Sequence, residues 1–119
     1  METDKELLEL AAKAAGIEVH AALKNGIHTP IGSAGAIYVW NPLESDKDAL
    51  RLAVKLGMDI CFGANYCIVR GSEQMPLVNN ANDPYAATRR AITRAAAAIG
   101  KEKSLALPTT ELRDGAKMP

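Results

Sequence analysis

Arg89, Arg90 and Arg94 form the sharpest local concentration of charge in the chain, with no acid between Asp83 and Glu102. A guanidinium presents its N–H donors as a planar fork that matches the paired oxygens of a phosphate or a carboxylate. Arg90 and Arg94 lie four residues apart, so on a helix they share a face. Asp83-Pro84 marks the start of that helix, whose positive end adds to the attraction for an anion. From position 84 to 103 five cations stand against one anion, a local charge of +4. The competing reading is a solvated helix face balanced by Glu44, Asp46 and Asp48. Trp40, the one tryptophan, stands at a strand end before Asn41-Pro42. Its indole can stack on a base, anchor a partner or close the core. Tyr38 shares its face by strand alternation, and Tyr85 opens the arginine helix. Arg89, Arg90, Arg94, Trp40, Asn41 and Tyr85 are therefore the candidate residues for binding a phosphate-bearing small molecule.

Other chemistry is sparse. His20 and His28 flank the first turn, but two imidazoles without a third fixed ligand do not define a metal site, and they read as surface or edge residues. A turn at Asn25-Gly26 pairs positions 23 and 28, which keeps the two rings apart along the ladder. Cys61 and Cys67 have five residues between them rather than the two of a redox or zinc knuckle, so they read as free structural thiols. Gly32, Gly35, Gly63 and Gly71 match no phosphate-cradling or dinucleotide fingerprint, and Ser33 lies in no nucleophile elbow. The expectation is a protein that is not an enzyme, with no cofactor and no metal.

The scaffold that must position these residues is small. A length of 119 residues fits one domain. Apolar residues make up 48 % but aromatics only 4 %, so alanine must fill much of the core. Fourteen basic residues balance fourteen acidic ones, and a neutral chain has no global attraction for nucleic acid or an anionic membrane. No stretch approaches the length of an apolar membrane span, and Met1-Glu2-Thr3-Asp4-Lys5-Glu6 lacks the positive charge of a secretory leader. A cytosolic protein with reduced thiols is expected.

Local patterns give an element order. Thr3 and Glu6 make a capping box for a helix over 4–15 that ends at Gly16. Period-two alternation from Ile17 to Leu23 predicts a strand with Ile17, Val19, Ala21 and Leu23 on one face, followed by a hairpin and a further strand at Ala36–Trp40. Ser45 and Asp48 repeat the capping logic for a second helix ending at Gly57, whose wide apolar surface (Ala49, Leu50, Leu52, Ala53, Val54, Leu56) predicts cover on more than one side. A second hairpin over 58–70 places Cys61 opposite Cys67 if the loop has three residues. Positions 71–82 read as a long loop, and Asp83 caps a third helix that runs to Ile99 with Gly100 as its stop. The expectation is one α+β domain over 1–103. Its form is a three-layer helix/sheet/helix sandwich with three helices and one mostly antiparallel sheet of four to five strands. A flexible tail follows over 104–119.

Two stretches carry a resemblance. Trp40-Asn-Pro-Leu-Glu-Ser-Asp-Lys-Asp-Ala-Leu-Arg-Leu-Ala-Val-Lys-Leu56 and Asp83-Pro-Tyr-Ala-Ala-Thr-Arg-Arg-Ala-Ile-Thr-Arg-Ala-Ala-Ala-Ala-Ile-Gly100 together resemble the phage ABA-sandwich domain family. The resemblance implies a helix-sheet-helix layered fold, a phage or prophage origin and hence a place in the host bacterial cytoplasm. It implies no established activity. Small accessory phage proteins without enzyme motifs commonly act by binding, including against host defences. The first expectation is a non-catalytic protein that sequesters a nucleotide-type signal, with the three arginines on phosphate and Trp40 or Tyr85 on a base. The alternative is a protein-protein inhibitor or assembly factor acting on a host or phage protein, whose footprint is an exposed apolar patch, and a less favoured one is a hydrolase with an unrecognised site. A short, alanine-rich domain has little bulk to bury, which favours a homo-oligomer, a dimer or higher.

Overall fold

The computed structural model describes residues 3–31, 35–62, 66–70, 77–79 and 83–106. The first helix, α1 (Asp4–Ala15), begins at the predicted capping box. Thr3 Oγ1 accepts from the Glu6 amide at 3.2 Å and the Glu6 carboxylate accepts from the Thr3 amide at 2.9 Å. Strands β1 (Ala21–Leu23), β2 (Gly26–Ile31) and β3 (Ala36–Trp40) follow, then α2 (Asp46–Leu56), β4 (Asp59–Phe62), β5 (Tyr66–Arg70), β6 (Leu77–Asn79) and α3 (Pro84–Ala106).

The fold is α+β with three helices. The described strands do not join in one sheet of four or five. They form two three-stranded antiparallel sheets, β1-β2-β3 and β4-β5-β6. The chain passes through α2 between β3 and β4, and each side completes its own ladder. α1 and α3 pack extensively on each other, β1 and β2 lie against α1, β5 and β6 lie against α3, and α2 touches both of the other helices.

The helix pair has a specific chemical basis. Ala11, Ala12 and Ala15 of α1 and Ala91, Ala95 and Ala96 of α3 are buried in one core with Leu8, Ile27, Trp40, Leu52 and Val69. Small side chains let two backbones approach closely, and the closest approach is at Gly100. A Cβ placed there would lie 1.9 Å from the Leu10 carbonyl oxygen. Gly100 is thus a contact point inside α3 and not its C-terminal stop, and the helix continues to Ala106. Positions 104–106 of the expected tail belong to α3, and positions 107–119 lie outside the described residues.

The hairpin registers also differ from expectation. Leu23 pairs with Gly26 and Ala21 with His28, so Lys24-Asn25 forms the two-residue connection. Gly26 opens β2 with φ 136°, and a Cβ there would stand 2.7 Å from the Trp40 carbonyl oxygen. Both the positive φ and that close approach favour glycine here. The shift makes the two histidines neighbours, with the His20 amide donating to the His28 carbonyl at 2.7 Å. It also reverses the expected face of β1. Ile27 and Trp40 point to the core, while Leu23, on the other face, is 48 % exposed. In the second sheet Phe62 pairs with Cys67 and Cys61 with Ile68, so the cysteines lie on opposite faces, Cys61 exposed and Cys67 buried. Positions 77–79 of the expected loop are strand β6.

α2 is covered on one side only. Ala49, Leu52 and Ala53 are buried, but Leu50 and Val54 are 61 % and 73 % exposed. Its apolar surface is wider than the described residues cover. Among the described residues no helix is long and apolar enough to cross a membrane.

Candidate functional site

The stretch Trp40-Asn41-Pro42-Leu43 is an internal junction. Trp40 is 6 % exposed and packs in the core, and Asn41, Pro42 and Leu43 are buried beside it. The Asn41 side chain is spent at both ends: Nδ2 donates to the Asn25 carbonyl at 3.0 Å and Oδ1 accepts from the Leu43 amide at 3.0 Å. Its carbonyl receives the amides of Glu44 and Ser45 at 3.1 and 2.9 Å, which winds the turn into α2. Trp40 and Asn41 therefore position the site rather than present themselves to a ligand.

That turn delivers a buried carboxylate. Ser45 caps α2 as expected, accepting from the Asp48 amide at 3.2 Å. The Asp48 side chain, 3 % exposed, points back to β3. Oδ1 accepts the Tyr38 hydroxyl hydrogen in a short hydrogen bond, and Oδ2 accepts from the Asn41 amide at 2.9 Å. A buried carboxylate needs such donors to offset its lost hydration. The same bond, reinforced by burial and by the negative charge of Asp48, pushes the Tyr38 phenol up to about 12. Lys47 Nζ lies 5.2 Å from the centre of the Tyr38 ring, within range of a cation–π contact.

The three arginines diverge. Arg89 donates through Nε to the Leu43 carbonyl at 2.9 Å and pairs with Asp46 at 2.6 Å, clamping α3 to the start of α2. Arg90 pairs with Asp4 at 3.1 Å on the first turn of α1. Arg94 is exposed further along α3. The acids that neutralise the helix are thus Asp46 and Asp4 rather than the whole cap of Glu44, Asp46 and Asp48, and Asp48 is committed to Tyr38. Tyr85 is 70 % exposed where α3 begins, behind an Asp83 cap that accepts from the amides of Tyr85 and Ala86, each at 3.1 Å.

Tyr85 and Arg89 do meet, in a groove of about 430 Å³ between α2, β4 and the start of α3. Leu50, Ile60, Phe62, Pro84 and Ile92 supply most of its wall, and its one ion pair, Arg89 with Asp46, is internal to the chain. Leu50, Phe62 and Tyr85 remain 61 %, 65 % and 70 % exposed around it. Trp40, Asn41, Arg90 and Arg94 are not part of this groove. The residues that sequence reasoning missed here are Leu50, Ile60 and Phe62. The signal for Leu50 was the excess width of the apolar face of α2, which read as core, and that for Ile60 and Phe62 was their alternation along β4.

Two further clefts flank the Tyr38–Asp48 pair. One, of 520 Å³, lies at the helix starts and includes Asp4, Lys24, Asn25, Glu44, Ser45 and Lys47. The other, of 340 Å³, runs along α2 and includes Trp40, Lys47, Arg51, Leu52 and Lys55. Among the described residues no group of three or more His, Cys, Asp or Glu side chains is placed to hold a metal ion. No known protein family matches the chain, and no characterised protein or solved structure shows significant similarity to it.

Proposed function

We propose that this chain is a small non-catalytic binding protein of phage type, and that it acts on a partner protein through the groove between α2, β4 and α3. The observation that carries this reading is the ring of exposed Leu50, Phe62 and Tyr85 around one apolar groove. Isolated exposed apolar residues are ordinary, but a contiguous set lining a concave surface is a favourable docking site because its burial removes apolar area from water on both partners. Tyr85 supplies a large, stiff contact with a polar tip, a residue type that dominates interface energetics. The same reading includes the phage ABA-sandwich family, its three-layer arrangement, action in the host bacterial cytoplasm and a role as inhibitor or assembly factor.

Sequestration of a nucleotide-type signal by Arg89, Arg90 and Arg94 with Trp40 draws less support. A phosphate reaching Arg89 or Arg90 must displace Asp46 or Asp4, and the indole of Trp40 is buried.

The test is affinity capture from bacterial lysate with the full chain and with Leu50→Asp and Phe62→Asp variants, alongside light scattering. The reading expects one stoichiometric protein partner that both variants lose while keeping the wild-type melting temperature. Self-association at micromolar concentration, abolished by the same variants, would assign the groove to a second copy instead. Capture that survives both substitutions removes the groove from the function.

A further inference from the structure

We propose that the cleft between α2 and β3 is a binding site for a small phosphate-bearing molecule carrying at least two negative charges, held by Lys47, Arg51 and Lys55. These three residues recur at intervals of four along α2, are all exposed, and all line the 340 Å³ cleft. At about 1.5 Å of rise per residue, the row spans roughly 12 Å.

Helix stability does not explain the row. Like charges at i,i+4 destabilise a helix, and none of the three is salt-bridged to an acid among the described residues. Lys55 suits the negative end of α2, but Lys47 stands in its first turn, where the helix dipole disfavours a cation. The cleft holds one acid, Asp48, so its three cations leave a net charge of +2. Both Asp48 oxygens already accept hydrogen bonds from Tyr38 and Asn41, which leaves the lysines and the arginine uncommitted to it.

The rest of the lining fits a compact organic group. Half-buried Ile17 and Tyr38 supply its accessible apolar lining, with Lys47 Nζ over the Tyr38 ring, while Trp40, Leu52 and Ala15 back the cleft from the core. The volume lies at the lower end of small-ligand pockets, about 300–1,000 Å³, which suits a single nucleotide rather than a polymer. This site shares no residue with the apolar groove, so the two readings stand or fall separately.

The experiment is calorimetric titration of the full chain with inorganic pyrophosphate and with ADP at low salt. The expected result is saturable binding of both probes below about 1 mM. Arg51→Glu and Lys55→Glu should each weaken binding at least ten-fold without changing the melting temperature, because both side chains are exposed. Arg94→Glu, an exposed charge reversal on α3, should leave binding unchanged. Absence of saturable binding for both probes overturns the proposal. So does binding that survives the Arg51→Glu, Lys55→Glu double variant, or that falls equally with Arg94→Glu.

Discussion

The hydroxyl of Tyr38 donates to the buried carboxylate of Asp48, tying the middle of β3 to the first turn of α2 across ten residues of chain. Removing the hydroxyl leaves Oδ1 without that donor in a site only 3 % exposed. Tyr38→Phe should therefore cost about 1–3 kcal/mol, the penalty of an unsatisfied buried polar group, measured by urea denaturation at neutral pH. The pH dependence has a definite sign. The folded phenol is raised from 10.0 to about 12, so the stabilisation is fully present below pH 10 and is lost as pH rises towards 12. The stability difference between wild type and Tyr38→Phe should shrink across that window. A difference that stays constant from pH 9 to beyond 11 would count against the bond.

Arg89 and Arg90 are adjacent in sequence and make unequal ion pairs. The Arg89 side chain is 17 % exposed and bonds both a carboxylate and a main-chain carbonyl, whereas Arg90 is 42 % exposed and its partner Asp4 is 63 % exposed. Arg89→Ala leaves the Leu43 carbonyl without a donor and should cost about 1–3 kcal/mol. Arg90→Ala should cost less than about 1 kcal/mol, as for other solvent-exposed pairs. Equal losses in thermal melts would contradict the clamp assigned to Arg89.

The two thiols test the register of the second sheet. Cys61 is exposed and Cys67 is buried opposite Phe62, and burial pushes the Cys67 thiol up, only partly offset by a hydrogen bond with Thr88. A thiolate is the reactive form, so Cys67 is disfavoured by both access and ionisation. Titration with a disulfide reagent under native conditions should modify one thiol rapidly and the second only on unfolding. A Cys61→Ser variant should lose the rapid phase. Two rapid thiols would mean that the cysteines share an exposed face.

Much of this fold is legible in short-range chemistry. Thr3, Glu6, Ser45 and Asp83 mark helix starts because capping involves neighbours two or three residues away. The α+β class follows from the same local patterns. Registers are less legible, because the tightest constraint on the first hairpin is the approach of Gly26 to Trp40, a contact between β2 and β3. The candidate site fared worst for a related reason. Arg89 and Arg90 read as free cations until Asp46 and Asp4 arrive from other helices. Leu50 and Val54 read as core because amphipathicity records that a face is apolar and not whether the chain has anything to cover it. The row Lys47, Arg51, Lys55 was visible at its spacing, but its convergence on Tyr38 depends on how α2 rotates against β3.

Gly100 sets two effects against each other. Inside a helix, Gly→Ala ordinarily stabilises by about 1 kcal/mol, since glycine has more backbone freedom to lose on folding. At this position the added methyl carbon would stand 1.9 Å from the Leu10 carbonyl oxygen and 2.8 Å from its carbonyl carbon, both main-chain atoms. Main chain cannot rotate aside as a flexible side chain can, so α1 and α3 must separate along the alanine-lined seam that carries half of the core. Overpacking of that kind costs about 1–3 kcal/mol and sometimes more, which outweighs the propensity gain. Gly100→Ala should therefore lower the denaturation midpoint, and Ala97→Gly, at a buried α3 position three residues earlier, should lower it only by about the propensity difference plus one small cavity. A Gly100→Ala variant as stable as the wild type would show that the two helices do not meet at this point.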